Sequence, residues 1–168
     1  MDSKVALLFA GQGAQYVGMG KDLYAAFPES KAVFDKADKV LGFSLSKLCF
    51  EGPQAELTQT QNCQPAILAA SIAAWEAFKS TIRYPCLSGR QALSAISYVA
   101  GLSLGEYSAL VSAEAISFED AVYLVRRRGE FMEEEALKSP GKMASIIGLD
   151  LEIIKNICRE AKVEIANI

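Results

Sequence analysis

Ala95-Ile96-Ser97-Tyr98-Val99-Ala100 runs without a charge into Gly101-Leu102-Ser103-Leu104-Gly105, and Glu106-Tyr107-Ser108-Ala109-Leu110 follows. The first six residues read as a buried strand, and the glycine-flanked pentapeptide as a sharp turn into a helix that reaches about Val111. A serine on such a turn stands exposed at the strand's end, and small residues two positions to either side let the turn close. The first N–H groups of the following helix favour negative charge developing beside it. On these residues alone, Ser103 is either a nucleophile or part of a structural glycine-rich turn, and both readings stay open.

Working outward, Val5 to Phe9 is a second continuous apolar run, ending at Gly11-Gln12-Gly13. It reads as a buried parallel strand feeding a glycine-rich turn. A short helix is expected near Lys21 to Ala26, and another over Ser30 to Leu41, where Val33, Phe34, Ala37 and Leu41 fall at helical spacing. Leu45 to Leu57 reads as short and turn-rich. Gln64-Pro65 opens an alanine-rich apolar run through Phe78 that predicts a buried helix with Pro65 in its first turn. Pro85 to Gln91 carries loop punctuation. Ser117-Phe118-Glu119-Asp120 resembles a capping box and starts a helix to about Ala136. Past Ser139-Pro140-Gly141, Lys142 to Gly148 reads as a strand, Leu151 to Ala161 as an amphipathic helix, and Val163 to Ile168 as another strand. The expected class is α/β, a parallel sheet flanked by helices, with residues 1–137 as an incomplete large subdomain and 138–168 as the start of a second.

Composition narrows the function. The chain has 168 residues, is 51% hydrophobic and 22% charged, and carries a net charge of -3. That suits a globular domain and gives no electrostatic case for nucleic acid or an anionic membrane. The basic triplet Arg126-Arg127-Arg128 reads, taken alone, as a solvated helix face. Cys49, Cys63, Cys86 and Cys158 form no C-x-x-C pair, and there is no histidine. A zinc site is therefore not expected, and buried free thiols in a reducing compartment are. The N-terminus shows no signal-peptide pattern, and no apolar stretch reaches membrane-spanning length, so a cytoplasmic or mature organellar protein is expected.

Five segments together extend the reading. Leu8 to Gln15 (L-F-A-G-Q-G-A-Q), Gln64-Pro65-Ala66, Gly101 to Leu110, Ala121 to Met132 (A-V-Y-L-V-R-R-R-G-E-F-M) and Gly141 to Asp150 resemble, in order, segments of the malonyl-CoA:acyl-carrier-protein transacylases and related acyltransferase domains. The resemblance implies an α/β-hydrolase-like acyltransferase fold with an inserted ferredoxin-like subdomain beginning near Lys138. It implies transfer of malonyl from coenzyme A to the acyl carrier protein thiol through a malonyl-serine ester on Ser103, in fatty acid biosynthesis, with no metal or organic cofactor. Arg128, 25 positions after Ser103, would pair with the malonyl carboxylate, a task its planar fork suits. Gln12 and Leu104 would give backbone N–H groups to an oxyanion hole. Gln64 would line the pocket, unless it serves only its own helix. Leu104 after the serine matches malonyl-type members, and Leu102 stands where many members have histidine.

The same resemblance exposes a gap. The family uses a downstream histidine as general base, and these 168 residues contain none. A serine hydroxyl without such a partner is a poor nucleophile at neutral pH. Only two core strands are legible before Pro140, where open parallel sheets usually have about four to six. The expectation is a C-terminally truncated chain that is inactive alone and depends on a missing C-terminal half. A non-catalytic fragment that binds acyl carrier or another partner, and an α/β serine hydrolase, are the alternatives. A carboxylate-binding arginine has no purpose in a simple esterase pocket.

Overall fold

A computed structural model describes residues 5–82, 96–139 and 141–168. The chain divides into two units, Met1–Lys138 and Ser139–Ile168. The loop expected over Pro85 to Gln91, and Ala95 and Cys86, lie outside the described residues.

In the first unit, β1 (Val5–Phe9) and β2 (Ile96–Gly101) pair in parallel, with Leu7 opposite Val99, Leu8 opposite Ala100 and Phe9 opposite Gly101. They are the two strands of the sheet among the described residues. Among the described residues, seven helices precede and follow β2: α1 (Lys21–Ala26), α2 (Pro28–Leu41), α3 (Leu45–Glu51), α4 (Gln54–Thr58), α5 (Thr60–Ile82), α6 (Leu104–Ser112) and α7 (Phe118–Lys138). α6 lies against both strands, and α5 packs on α2, α6 and α7.

Burial of the strands departs from expectation. Leu7 and Val99 share the half-buried face, whereas Leu8 is 80% and Tyr98 64% exposed. Side chains alternate across a strand, so each apolar run loads both faces. Helices cover only one of them among the described residues. The core sits between helices instead: Phe34, Leu45, Leu57, Leu68, Leu104, Val122 and Val125 are fully buried. Tyr24, Phe34 and Phe50 meet edge to face with centroids 5.0–6.0 Å apart.

Two helix starts are also corrected. α2 begins at Pro28, whose fixed φ suits a first helical position. α5 begins at Thr60, so Pro65 lies inside the helix and not in its first turn. Asn62 and Cys63 donate their backbone N–H groups to Gln59 and start the helix ahead of the proline. α7 starts as its sequence predicts, with Ser117 Oγ accepting the Asp120 N–H at 3.0 Å.

The second unit holds one helix among its described residues, α8 (Leu151–Ala161), capped by Asp150, whose side chain accepts the Glu152 N–H at 2.8 Å. The strands expected over Lys142 to Gly148 and Val163 to Ile168 do not form: both segments are irregular and join no ladder. A strand needs a partner for its N–H and C=O groups, and within these residues neither segment has one. No helix among the described residues is long and apolar enough to cross a membrane.

Candidate active site

The turn after β2 is built by close approach. Ser103 adopts φ 55°, ψ −106°, a region that L residues rarely occupy, and serves as N-cap of α6. A Cβ on Gly105 would fall 2.5 Å from the Phe9 carbonyl oxygen, and one on Gly101 would fall 2.1 Å from the Gly105 carbonyl carbon. The two glycines therefore let the end of β1, the turn and the start of α6 meet at backbone contact. The result leaves Ser103 exposed while its neighbour Leu104 is fully buried. The buried Leu104 side chain anchors the helix that presents the hydroxyl.

Arg128 reaches this serine from α7. Its Nη2 donates to Ser103 Oγ at 2.7 Å, and its Nη1 donates to Gln64 Oε1 at 2.8 Å. Gln64 is fully buried, and its Nε2 lies 3.3 Å from Met132 Sδ. The guanidinium carbon stands 6.0 Å from the Tyr107 ring centroid. Residues from α5, α6 and α7 thus converge on one hydroxyl. Tyr107 and Met132 were not singled out in the sequence, yet each sits four positions after a residue that was, Ser103 and Arg128, on the same helix face.

The loop after β1 closes the other side. A Cβ on Gly11 would lie 3.1 Å from the Leu102 carbonyl oxygen, so the loop abuts the turn. Gln15 Oε1 accepts the Gly13 N–H at 2.8 Å and folds the loop back on itself. Leu104 is the first residue of α6, where N–H groups have no intrahelical acceptor. Neither its N–H nor that of Gln12 finds an acceptor among the described residues.

Among the described residues, the thiols of Cys49 and Cys63 are buried in the core. Burial pushes the Cys49 thiol up to about 12 and the Cys63 thiol to about 11, so both stay protonated at neutral pH. Arg126, read from sequence as a solvated face, is instead engaged: it bonds Glu130, Asn62 and the Gln61 backbone. The Glu130 carboxyl, which burial would push up, is held below its usual range by Arg126 and Arg127.

A parallel strand, a positive-φ serine and a following helix, packed under a helical layer, form the nucleophile elbow of an α/β fold. The chain matches the acyl transferase domain family over residues 6–166, and it belongs to that family. It is 51% identical to a malonyl CoA-acyl carrier protein transacylase of Bacillus subtilis, covering 92% of this chain and 45% of that protein. The corresponding protein of Escherichia coli K12 is 43% identical, with 95% and 48% covered. Among solved structures, that of the Streptococcus pneumoniae transacylase superposes with a TM-score of 0.80 at 45% identity, covering 95% of this chain and 48% of that one. A malonyl-transacylase solved in complex with its type II polyketide acyl-carrier protein gives 0.77 at 40% identity, with 94% and 48% covered. The chain spans about half the length of the curated relatives it matches.

Proposed function

We propose that this chain supplies the acyl-accepting part of a cytoplasmic malonyl-CoA:acyl-carrier-protein transacylase that feeds fatty acid biosynthesis. The observation that carries the reading is the Arg128 fork beside Ser103 Oγ. In a malonyl thioester the free carboxylate lies one methylene from the reacting carbonyl. An arginine that already reaches the serine hydroxyl is therefore at the right range to hold that carboxylate while Ser103 attacks. Its Nη1 is steadied by buried Gln64, which leaves the fork oriented before substrate arrives. The names of the relatives support the same substrate.

In this mechanism Ser103 Oγ attacks the thioester carbonyl, and the tetrahedral oxyanion takes the N–H groups of Gln12 and Leu104. Collapse expels the coenzyme A thiolate and leaves malonyl as an ester on Ser103. The phosphopantetheine thiol of acyl carrier protein then attacks that ester and carries malonyl away. The proton of Ser103 needs an acceptor, and none of the 168 residues is a histidine. We assign that base to residues outside this chain, and residues 138–168 to the start of a ferredoxin-like subdomain.

The test is a chimera in which this chain replaces the matching segment of the Bacillus subtilis relative. Radiolabelled malonyl-CoA should label the chimera on the Ser103 peptide, and the 168-residue chain alone should show no malonyl transfer. A chimera that folds and turns over without label on Ser103 sinks the assignment of the nucleophile. Near-normal turnover by the isolated chain sinks the assignment of the base.

Arg128 gives a sharper selectivity test. Arg128→Ala in the chimera should depress malonyl transfer relative to acetyl transfer, because acetyl has no carboxylate to pair. A hydrogen bond to a charged group contributes about 1.5–3 kcal/mol, or roughly 10–150-fold in relative kcat/KM. Equal losses on both substrates would remove Arg128 from carboxylate recognition.

A further inference from the structure

Pro65 sits inside α5 and has no backbone N–H, so the carbonyl of Gln61, four residues earlier, lacks its helical donor. Arg126 supplies one. Its Nη1 lies 3.1 Å from Gln61 O and 2.6 Å from Asn62 Oδ1, while its Nε donates to Glu130 Oε1 at 2.8 Å. Asn62 is itself buried and donates from Nδ2 to Glu56 O at 3.0 Å, tying the same turn to α4. The helices meet tightly here, since a Cβ on Gly129 would fall 2.6 Å from Gln61 Cα.

We infer that Arg126 is a positioning residue: it replaces the donor that Pro65 removes, and so fixes the register of α5 against α7 that brings Gln64 to Arg128. One turn after the Gln61 carbonyl, Gln64 Oε1 receives Arg128 Nη1 at 2.8 Å. A slip of one residue along a helix axis is about 1.5 Å, enough to break that bond. Glu130 holds the Arg126 guanidinium by Nε, which leaves its Nη1 aimed at α5. Lysine at position 126 would keep the charge but could not bridge these partners with a planar fork. The purpose of the pairing rests on the reading of Arg128 above, but the contact itself does not.

The experiment needs no turnover. In side-chain nitrogen NMR of the chimera described above, an Arg128 guanidinium held by both Nη groups should rotate slowly and give resolved Nη signals. Arg126→Gln and Arg126→Lys should merge them into an averaged signal. Adding Pro65→Ala, which returns a backbone N–H for Gln61, should restore the resolved signals at least in part. Arg126→Gln should also lower the unfolding midpoint by about 4–10 °C, and by less in the Pro65→Ala background. A midpoint that falls while the Arg128 signals stay resolved would reduce Arg126 to a merely structural residue and overturn the inference. Averaged Arg128 signals in the unaltered chimera would overturn it as well, by removing the pair it positions. If Arg126→Gln does not fold, Arg126→Lys is read by the same signals. Loss of Ser103 labelling in the chimera, by contrast, bears on the transacylase reading and leaves these signals untouched.

Discussion

Ser103→Ala, placed in the chimera with the Bacillus subtilis relative, is expected to abolish the malonyl-enzyme and to cut malonyl transfer by about 10⁴-fold or more. The size follows from the chemistry. Covalent transfer splits one thiol-to-thiol exchange into two steps through an ester, and alanine has no atom to carry that ester. Substrate binding and the oxyanion donors proposed for Gln12 and Leu104 would survive, but they cannot act without a nucleophile. The fold should be indifferent, because the Ser103 side chain is exposed and its one bond, to Arg128, is a surface bond. Ser103→Gly separates the two effects further. Glycine adopts φ 55° without the cost that serine bears, so this variant should be more stable by about 1 kcal/mol while equally inactive. The measurements are mass spectrometry of the Ser103 peptide after exposure to malonyl-CoA, and urea melts of all three proteins. Malonyl found on another residue of the alanine variant, at wild-type rate, would show that Ser103 is not the acyl carrier.

Much of this site can be read before any coordinates exist. The turn, its serine and the following helix are local features, fixed by glycine spacing and by an apolar run next to it. Their bounds were legible to within a residue or two, as was the α7 start at Ser117. What sequence could not supply was whatever depends on a distant partner. The all-round apolar character of β1 and β2 reads as two covered faces, yet coverage is decided by other elements, and among the described residues helices cover only one face. Pro65 reads as a helix start because proline usually sits there. It lies inside α5, and Arg126, 61 positions later, gives the Gln61 carbonyl the donor that the ring lacks. The same long-range contact is why Arg126 read as a solvated charge when it is a hydrogen-bond bridge. Lys142 to Gly148 and Val163 to Ile168 have strand composition, but composition provides no partner.

Gly105→Ala should be severely damaging in this chain's elbow, as should Gly101→Ala, whose methyl would fall 2.1 Å from the Gly105 carbonyl carbon. A Cβ on Gly105 would sit 2.5 Å from Phe9 O and 3.2 Å from Ala10 O, and both neighbours are backbone atoms. A flexible side chain could swing aside, but a strand carbonyl cannot move without carrying the strand with it. Relief therefore requires β1 and α6 to separate. That movement would pull fully buried Leu104 out of the helical core and shift Ser103 away from Arg128. The expected loss is about 3–5 kcal/mol, a large share of the 5–15 kcal/mol that ordinarily separates folded from unfolded domains. Gly141→Ala is the control: the nearest atom to its added methyl is Ser139 O at 3.9 Å, so it should change stability by less than about 0.5 kcal/mol. Urea melts of the two variants in the chimera decide the matter, with hydrogen exchange over β1 and α6 to locate any opening. If Gly105→Ala melts with Gly141→Ala, the close packing of Phe9 on the elbow is wrong, and with it the account of how this turn holds Ser103 in place.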